Sequence, residues 1–149
     1  MSDFSSLVIS NIEQNTSNSV ILSFEVPSDE KEKFNFKSGQ YLTLEAVVND
    51  QKVRRSYSIC SMPNEVLQVG IKQIPEGVFS SFANNVLQIK DSLLVGSPQG
   101  RFLYDPKGTS EKIVAFAAGS GITPIMSMIK TVLSSHPENE FSLVYGNKT

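Results

Sequence analysis

Arg54-Arg55-Ser56-Tyr57-Ser58 puts a guanidinium, a phenol and a hydroxyl on one short stretch. Together they suit three parts of one kind of ligand. A guanidinium grips two phosphate oxygens at once through its planar donors. A phenol ring two residues on can lie against a flat heterocycle, and a serine hydroxyl can bond a ring nitrogen. If the stretch is a strand, alternation turns Arg55 and Tyr57 to one face. An amphipathic strand with an exposed arginine pair and a core tyrosine would use the same residues, and the stretch alone does not separate the two readings.

Two glycine turns follow along the chain. Gly77-Val78-Phe79-Ser80 comes about twenty residues later, where a short helix is expected to begin. Glycine lets backbone come close to a phosphate, and the unpaired N–H groups of a helix start attract the anion. Simple helix capping accounts for the same residues. Gly119-Ser120-Gly121-Ile122-Thr123-Pro124 lies between an apolar run and an amphipathic stretch. A glycine-rich turn from strand to helix is a common seat for dinucleotide phosphates, and a purely structural turn is the competing reading.

Spacing outlines the elements that must hold these residues. Ser19 to Val26 alternates apolar and polar side chains after Val20, and Pro27 stops it. Gly39-Gln40 opens a run from Tyr41 to Val48. Asn49-Asp50 predicts a hairpin turn, because both residues tolerate left-handed backbone angles. The return runs from Val53 to Ile59, breaks at Met62-Pro63-Asn64 and resumes from Val66 to Lys72. Val78, Phe82 and Val86, with Phe79 off register, predict a short helix, and Ser92 to Val95 a further strand. This succession predicts a closed or nearly closed antiparallel β-barrel.

Beyond a polar, breaker-rich linker at Asp105–Ser110 the pattern changes. Lys112 to Ala117 is a continuous apolar run, expected to be a strand buried on both faces of a parallel sheet. Ile125, Met128, Ile129, Val132 and Leu133 fall at helical spacing, with Thr123 as the expected N-cap and Pro124 at the first helical position. His136-Pro137 ends that helix, and Phe141 to Tyr145 is the next strand. The result is one β-α-β unit, the seed of a doubly wound α/β nucleotide-binding domain. The expected division is a barrel domain over residues 1–106 and a partial α/β domain over 107–149. Two strands and one helix cannot cover both faces of such a sheet. The expectation is therefore a piece of a longer protein, whose unfinished sheet invites self-association or disorder after about Pro106.

The bulk properties narrow the function classes. A formal net charge of −2 without a basic block argues against nucleic acid as a partner. One cysteine, Cys60, and one histidine, His136, exclude an internal disulfide and a His/Cys metal cluster from a single copy, so no metal site is expected. Cys60 is read as a small packed residue and His136 as a surface helix end. The first residues lack the basic start and apolar stretch of a secretory leader, and no apolar run nears the roughly 20 residues of a membrane span. A cytoplasmic location without membrane contact is the expectation.

Taken together and in order, the motifs resemble those of the ferredoxin–NADP reductase superfamily. Arg55-x-Tyr57-Ser58 is similar to its flavin signature, Gly77-x-x-Ser80 to its FAD pyrophosphate turn, and Gly119-x-Gly121-x-x-Pro124 to its pyridine-nucleotide turn. Gly39-Gln40-Tyr41, Tyr145-Gly146-Asn147 and Pro98-Gln99-Gly100-Arg101-Phe102 also match; Ser97 stands where the family usually has a further glycine. The longer runs from Arg54 to Ser61 and from Ala117 to Ile125 resemble the reductase components of multicomponent oxygenases.

The resemblance implies an antiparallel Greek-key FAD-binding barrel followed by the start of an NAD(P)-binding domain. It assigns Arg55, Ser56, Tyr57, Ser58, Ile71, Lys72, Gly77, Val78, Phe79 and Ser80 to FAD. It assigns Gly119, Ser120, Gly121, Thr123 and Pro124 to NAD(P)H. It implies an oxidoreductase passing electrons from NAD(P)H through FAD to a ferredoxin domain or oxygenase component, with a [2Fe–2S] cluster elsewhere in the longer protein. No side chain here is expected to act as a catalytic acid or base. An FAD-binding module without turnover, or a barrel kept for structure or interaction without flavin, are the alternatives.

Overall fold

A computed structural model describes residues 3–108 and 110–148; Thr109, within the expected linker, and the chain-terminal Thr149 lie outside them. Among the described residues eight strands and two helices follow one another as β1 (Phe4–Thr16), β2 (Ser19–Glu25), β3 (Tyr41–Val48), β4 (Gln51–Ser58), β5 (Leu67–Lys72), α1 (Val78–Asn85), β6 (Ser92–Gly96), β7 (Lys112–Ala118), α2 (Ile122–Ser135) and β8 (Glu140–Gly146). A 3₁₀ turn at Gly119–Gly121 joins β7 to α2.

The first six strands form one antiparallel sheet in the order β4-β3-β6-β1-β2-β5. It curls until its two outer strands meet at a single bridge, Ile59 to Val69, backed by a hydrogen bond from Cys60 N–H to the Gln68 carbonyl (3.0 Å). Leu7, Ile9, Leu22, Leu42, Leu44, Val69, Ile71 and Val95 are fully buried inside this barrel. Each comes from a strand whose alternation turns every second residue inward. Burial of that apolar surface is the main stabilising term. The predicted hairpin forms at Asn49-Asp50, both with positive φ (51° and 60°), the geometry of a turn whose twist suits flanking strands.

The sequence reading placed no strand before Ser19, yet β1 is the longest of all. Its first half alternates inward at Leu7 and Ile9, but from Asn11 to Thr16 it is polar and exposed except for the half-buried Ile12, so the periodic signal fades halfway. Pairing with β2 carries it onward, with register shifts between Ile9 and Asn11 and between Gln14 and Thr16 that bend the strand.

Three further expectations are corrected. On α1 the buried residues are Phe79, Ser80 and Ala83, whereas Val78 and Val86 of the predicted stripe are exposed. The barrel end receives the helix through Phe79, the residue off register in the sequence pattern. At α2 the N-cap is Gly121, and Thr123 sits inside the helix with its hydroxyl donating to the Ser120 carbonyl (2.9 Å). Pro124 is then the third helical residue, acceptable because first-turn N–H groups have no intrahelical acceptor. Finally β7 is not buried on both faces. It pairs in parallel with β8 from Lys112–Glu140 to Ala118–Gly146, but Val114 (59%) and Phe116 (76%) are exposed. One helix covers one face of a two-stranded sheet and no more.

Helix α2 also docks on the barrel. The hydroxyl of Ser127 donates to the Ser61 carbonyl at 2.6 Å, and both residues are fully buried. Ser127→Ala removes this donor without changing shape much, and is expected to cost about 1–3 kcal/mol because a buried carbonyl loses its partner. Urea unfolding of the two proteins checks this; equal midpoints would mean that the docking does not depend on the bond.

Candidate functional site

Strands β4 and β5 touch at Ile59 and Val69 and separate beyond that point, so the barrel is open along one seam. Register fixes what faces the seam. Tyr57 lies opposite Leu42 and Arg55 opposite Leu44 on β3, so both share the inward face of β4. Tyr57 is half-buried, and its ring lies 5.8 Å from that of Phe79 at a tilt of 36°. That contact brings the arginine-tyrosine strand and the glycine turn of α1 together. Burial pushes the Tyr57 phenol above its ordinary range, while the Arg55 charge pulls it the other way.

The two adjacent arginines have different fates. Arg54 is on the outward face, where it pairs with the buried Glu45 and lies 4.7 Å from the centre of the Phe4 ring. Lys52 meets the same carboxylate at 3.2 Å. The Arg54 guanidinium holds Glu45 below the usual carboxylate range, against the opposing effect of burial. Arg55 is exposed, donates to the Arg54 carbonyl (2.6 Å), and has no carboxylate in ion-pair range among the described residues. Its charge is available to an anion. Ser56 also faces outward, its hydroxyl 3.1 Å from that of Thr43, away from Arg55 and Tyr57. Ser58 is half-buried at the end of β4.

Across the seam, Ile71 is sealed in the core and Lys72 faces outward. Peptide groups alternate along a strand. Because the Gln68 carbonyl points to Cys60, the main chains of Gly70 and Lys72 turn toward the seam as well. At the start of α1, Gly77 is the N-cap with no side-chain capping bond. A Cβ there would overlap the Ser80 hydroxyl and Ile74, so the position needs glycine. Ser80 is buried and accepts from Ile74 N–H (3.2 Å) while donating to the Gly77 carbonyl (3.3 Å). Its hydroxyl therefore shapes the turn, and the first-turn N–H groups of Val78, Phe79 and Ser80 are left as the donors for an anion.

The second glycine turn faces the outer side of the same strands. Gly119 has φ of +53°, and a Cβ at Gly119 or Gly121 would meet nothing within 4 Å. Tyr145 donates to the Gly119 carbonyl (3.1 Å), tying the end of β8 to the turn. Thr123 reaches the barrel: a Cβ on Gly70 would stand 3.0 Å from its methyl group. Between the two lobes lies a cleft of ≈ 720 Å³, whose walls include Gly70, Lys72, Ser120, Thr123 and Asn147. Gly121 and Pro124 shape its helix start without lining it. The β1–β2 hairpin, Asn15 to Ser19, forms a further wall that the sequence reading did not assign. Its run of Asn, Thr and Ser between the apolar Ile12 and Val20 was the available signal. Cys60 also lines this cleft; it is free, and burial pushes its thiol up, with Lys130 acting in the opposite sense. Among the described residues no group of three His, Cys, Asp or Glu is placed to hold a metal ion, and no helix is long and apolar enough to cross a membrane.

Comparisons with known proteins agree with this layout. Residues 6–104 match the family described as oxidoreductase FAD-binding domain, and residues 116–149 that described as oxidoreductase NAD-binding domain. A component of the 1,2-phenylacetyl-CoA epoxidase of Escherichia coli (strain K12) is 40% identical over 152 residues, covering 100% of this chain and 42% of that protein. The ferredoxin reductase component of 3-ketosteroid-9-alpha-monooxygenase from Rhodococcus rhodochrous is 31% identical, covering 95% of this chain and 40% of that one. The chain thus spans less than half the length of these relatives. Among solved structures, the flavohem-like FAD/NAD binding domain of nitric oxide dioxygenase from Vibrio cholerae superposes with a TM-score of 0.83 at 19% identity, over 97% of this chain and 62% of that one. Phthalate dioxygenase reductase, described as a modular structure for electron transfer from pyridine nucleotides to [2Fe-2S], does so at 0.80 and 23%, over 98% and 44%. These two likenesses establish the fold.

The buried phenol offers a direct test of the site's geometry. Tyr57 is expected to ionise above the ordinary tyrosine value of about 10, and Arg55→Ala is expected to raise it further by removing the favourable charge. Phenolate absorbance during an alkaline titration, taken as a difference against Tyr57→Phe, measures both. An Arg55→Ala titration that coincides with the parent would separate the two side chains.

Proposed function

We propose that this chain, which belongs to the ferredoxin–NADP reductase superfamily of FAD-binding oxidoreductases, binds FAD at the barrel seam and a pyridine nucleotide at the cleft beside it. The observation that carries the reading is the Tyr57–Phe79 contact, which joins a free guanidinium, a half-buried ring and a helix start along one opening. Arg55 and the first-turn N–H groups of Val78, Phe79 and Ser80 hold the two phosphates. Tyr57 lies against the flat ring system, and Ser58 with the main chain at Ile71–Lys72 borders its polar edge. Ser56 supports the strand through Thr43 rather than by direct contact.

On the other side, Gly119, Ser120, Gly121, Thr123 and Pro124 form the turn that receives the pyridine nucleotide, with Thr123 bringing it to the barrel wall at Gly70. When bound, FAD supplies the conversion between a two-electron nucleotide donor and a one-electron acceptor. The protein orients both ligands and needs no acid or base of its own. We read residues 1–106 as the flavin lobe and 107–149 as the opening of the nucleotide lobe, a division supported by the match limits at 104 and 116. In the longer protein the acceptor is an iron–sulfur centre or an oxygenase component. Two relatives support that choice by their names, one a component of phenylacetyl-CoA epoxidase and one the reductase component of a monooxygenase.

FAD titration followed by flavin fluorescence tests the reading. Saturable binding is expected in the parent. Arg55→Ala is expected to weaken it roughly 10–100-fold, the worth of a charge-assisted phosphate contact. Equal affinity in the two proteins would remove Arg55 from the site, and absence of binding in the full-length protein would sink the flavin reading.

A further inference from the structure

Few contacts hold the second glycine turn in place. Neither Ala118, which caps the 3₁₀ turn, nor Gly121, which caps α2, makes a side-chain capping bond. A Cβ at Gly119 or Gly121 would meet nothing within 4 Å, so no packing braces the turn on those sides. Among the described residues, two side-chain hydroxyls reach its carbonyls. Thr123 donates to Ser120 (2.9 Å), and Tyr145 donates to Gly119 (3.1 Å). Thr123 belongs to the helix that the turn begins, whereas Tyr145 comes from the end of a separate strand.

Register brings Tyr145 to that point. In the parallel pair it stands opposite Ala117, just before the chain leaves β7 for the turn. Side chains alternate along both strands. Phe116 and Val144 lie on the open face, so Ala117 and Tyr145 share the face that α2 covers. From there the phenol also lines the cleft.

The bond decides what an anion meets at the turn. A trans peptide is planar, with its C=O and N–H pointing in opposite directions. Fixing the Gly119 carbonyl toward Tyr145 therefore fixes the Ser120 N–H away from it. Gly119 sits at φ +53°, and glycine adopts positive and negative φ about equally readily, so this peptide can turn over at small backbone cost. Turned over, it would present a carbonyl oxygen where a phosphate needs a donor. Gly119 and Ser120 both line the cleft, so a ligand there experiences the difference.

We propose that Tyr145 is a positioning residue for the pyridine nucleotide: its hydroxyl holds the Gly119–Ser120 peptide with the N–H, not the carbonyl, toward the phosphates. The proposal rests on the nucleotide reading of the cleft given above. Tyr145 acts through the turn rather than on the ligand, and makes the end of β8 a working part of the phosphate site.

The test uses the flavin-loaded, full-length protein and Tyr145→Phe, which removes one hydroxyl and keeps the ring. Equilibrium dialysis gives Kd for NADH and NADPH, and steady-state kinetics give KM and kcat. A reduced N-alkylnicotinamide, a hydride donor without phosphate, is the second probe. Tyr145→Phe is expected to raise the nucleotide Kd and KM about three- to tenfold, the worth of one neutral hydrogen bond. It keeps kcat, as loss of uniform binding does. Its rate with the phosphate-free donor and its FAD affinity stay at the parent values. An unchanged nucleotide Kd overturns the proposal. So does an equal loss with the phosphate-free donor, which would mean that the phenol supports the lobe as a whole. If the parent itself takes up neither nucleotide, the reading of the cleft fails, and the proposal with it; FAD titration of the same sample separates that result from loss of the flavin.

Discussion

The arrangement depends on a barrel that closes at one point and nowhere else along its last pair of strands. Ile59 and Val69 hold β4 to β5; past them the strands part. A ladder continued along the whole length would satisfy more backbone groups and leave no place for a ligand. Phe79 takes up part of the cost of the opening by plugging the barrel end with a fully buried ring, and Tyr57 rests on it. The positions of the guanidinium, the phenol and the helix start all follow from that one divergence.

Neighbouring residues on β4 show how a strand separates structural charge from available charge. Alternation sends Arg54 and Arg55 to opposite faces. On the outer face, a carboxylate with only 4% exposure needs its charge balanced, and Arg54 and Lys52 do that while the guanidinium also covers the Phe4 ring. A buried carboxylate without partners would be strongly unfavourable. Because Glu45 is already paired on its own side, it does not compete for Arg55. Electrostatic order on one face thus leaves a free cation on the other.

The two glycine turns were legible as turns because each lies at a helix start, and the shared face of Arg55 and Tyr57 because strand alternation dictates it. The hairpin at Asn49-Asp50 was legible because both residues tolerate left-handed backbone angles. What escaped depended on tertiary contacts. The polar half of β1 has no periodicity of its own and is a strand because β2 pairs with it. The apolar spacing of Val78, Phe82 and Val86 was right only for Phe82, which packs against the core and Phe79; the depth of the barrel end buries Phe79 most deeply and leaves Val78 and Val86 exposed. Thr123 has the composition of a cap but lies too late, after a 3₁₀ turn that no local signal announces.

Gly70 carries a consequence for how firmly the lobes are spaced. Where Thr123 meets the barrel, the wall is a single peptide backbone with no side chain upon it. Side chains at an interface change rotamer and act as soft spacers, whereas a bare backbone held in a sheet does not. The distance between the second glycine turn and the inner side of β5 is therefore set by the thickness of a main chain. It works as a fixed gauge, insensitive to thermal rearrangement of the surface around it.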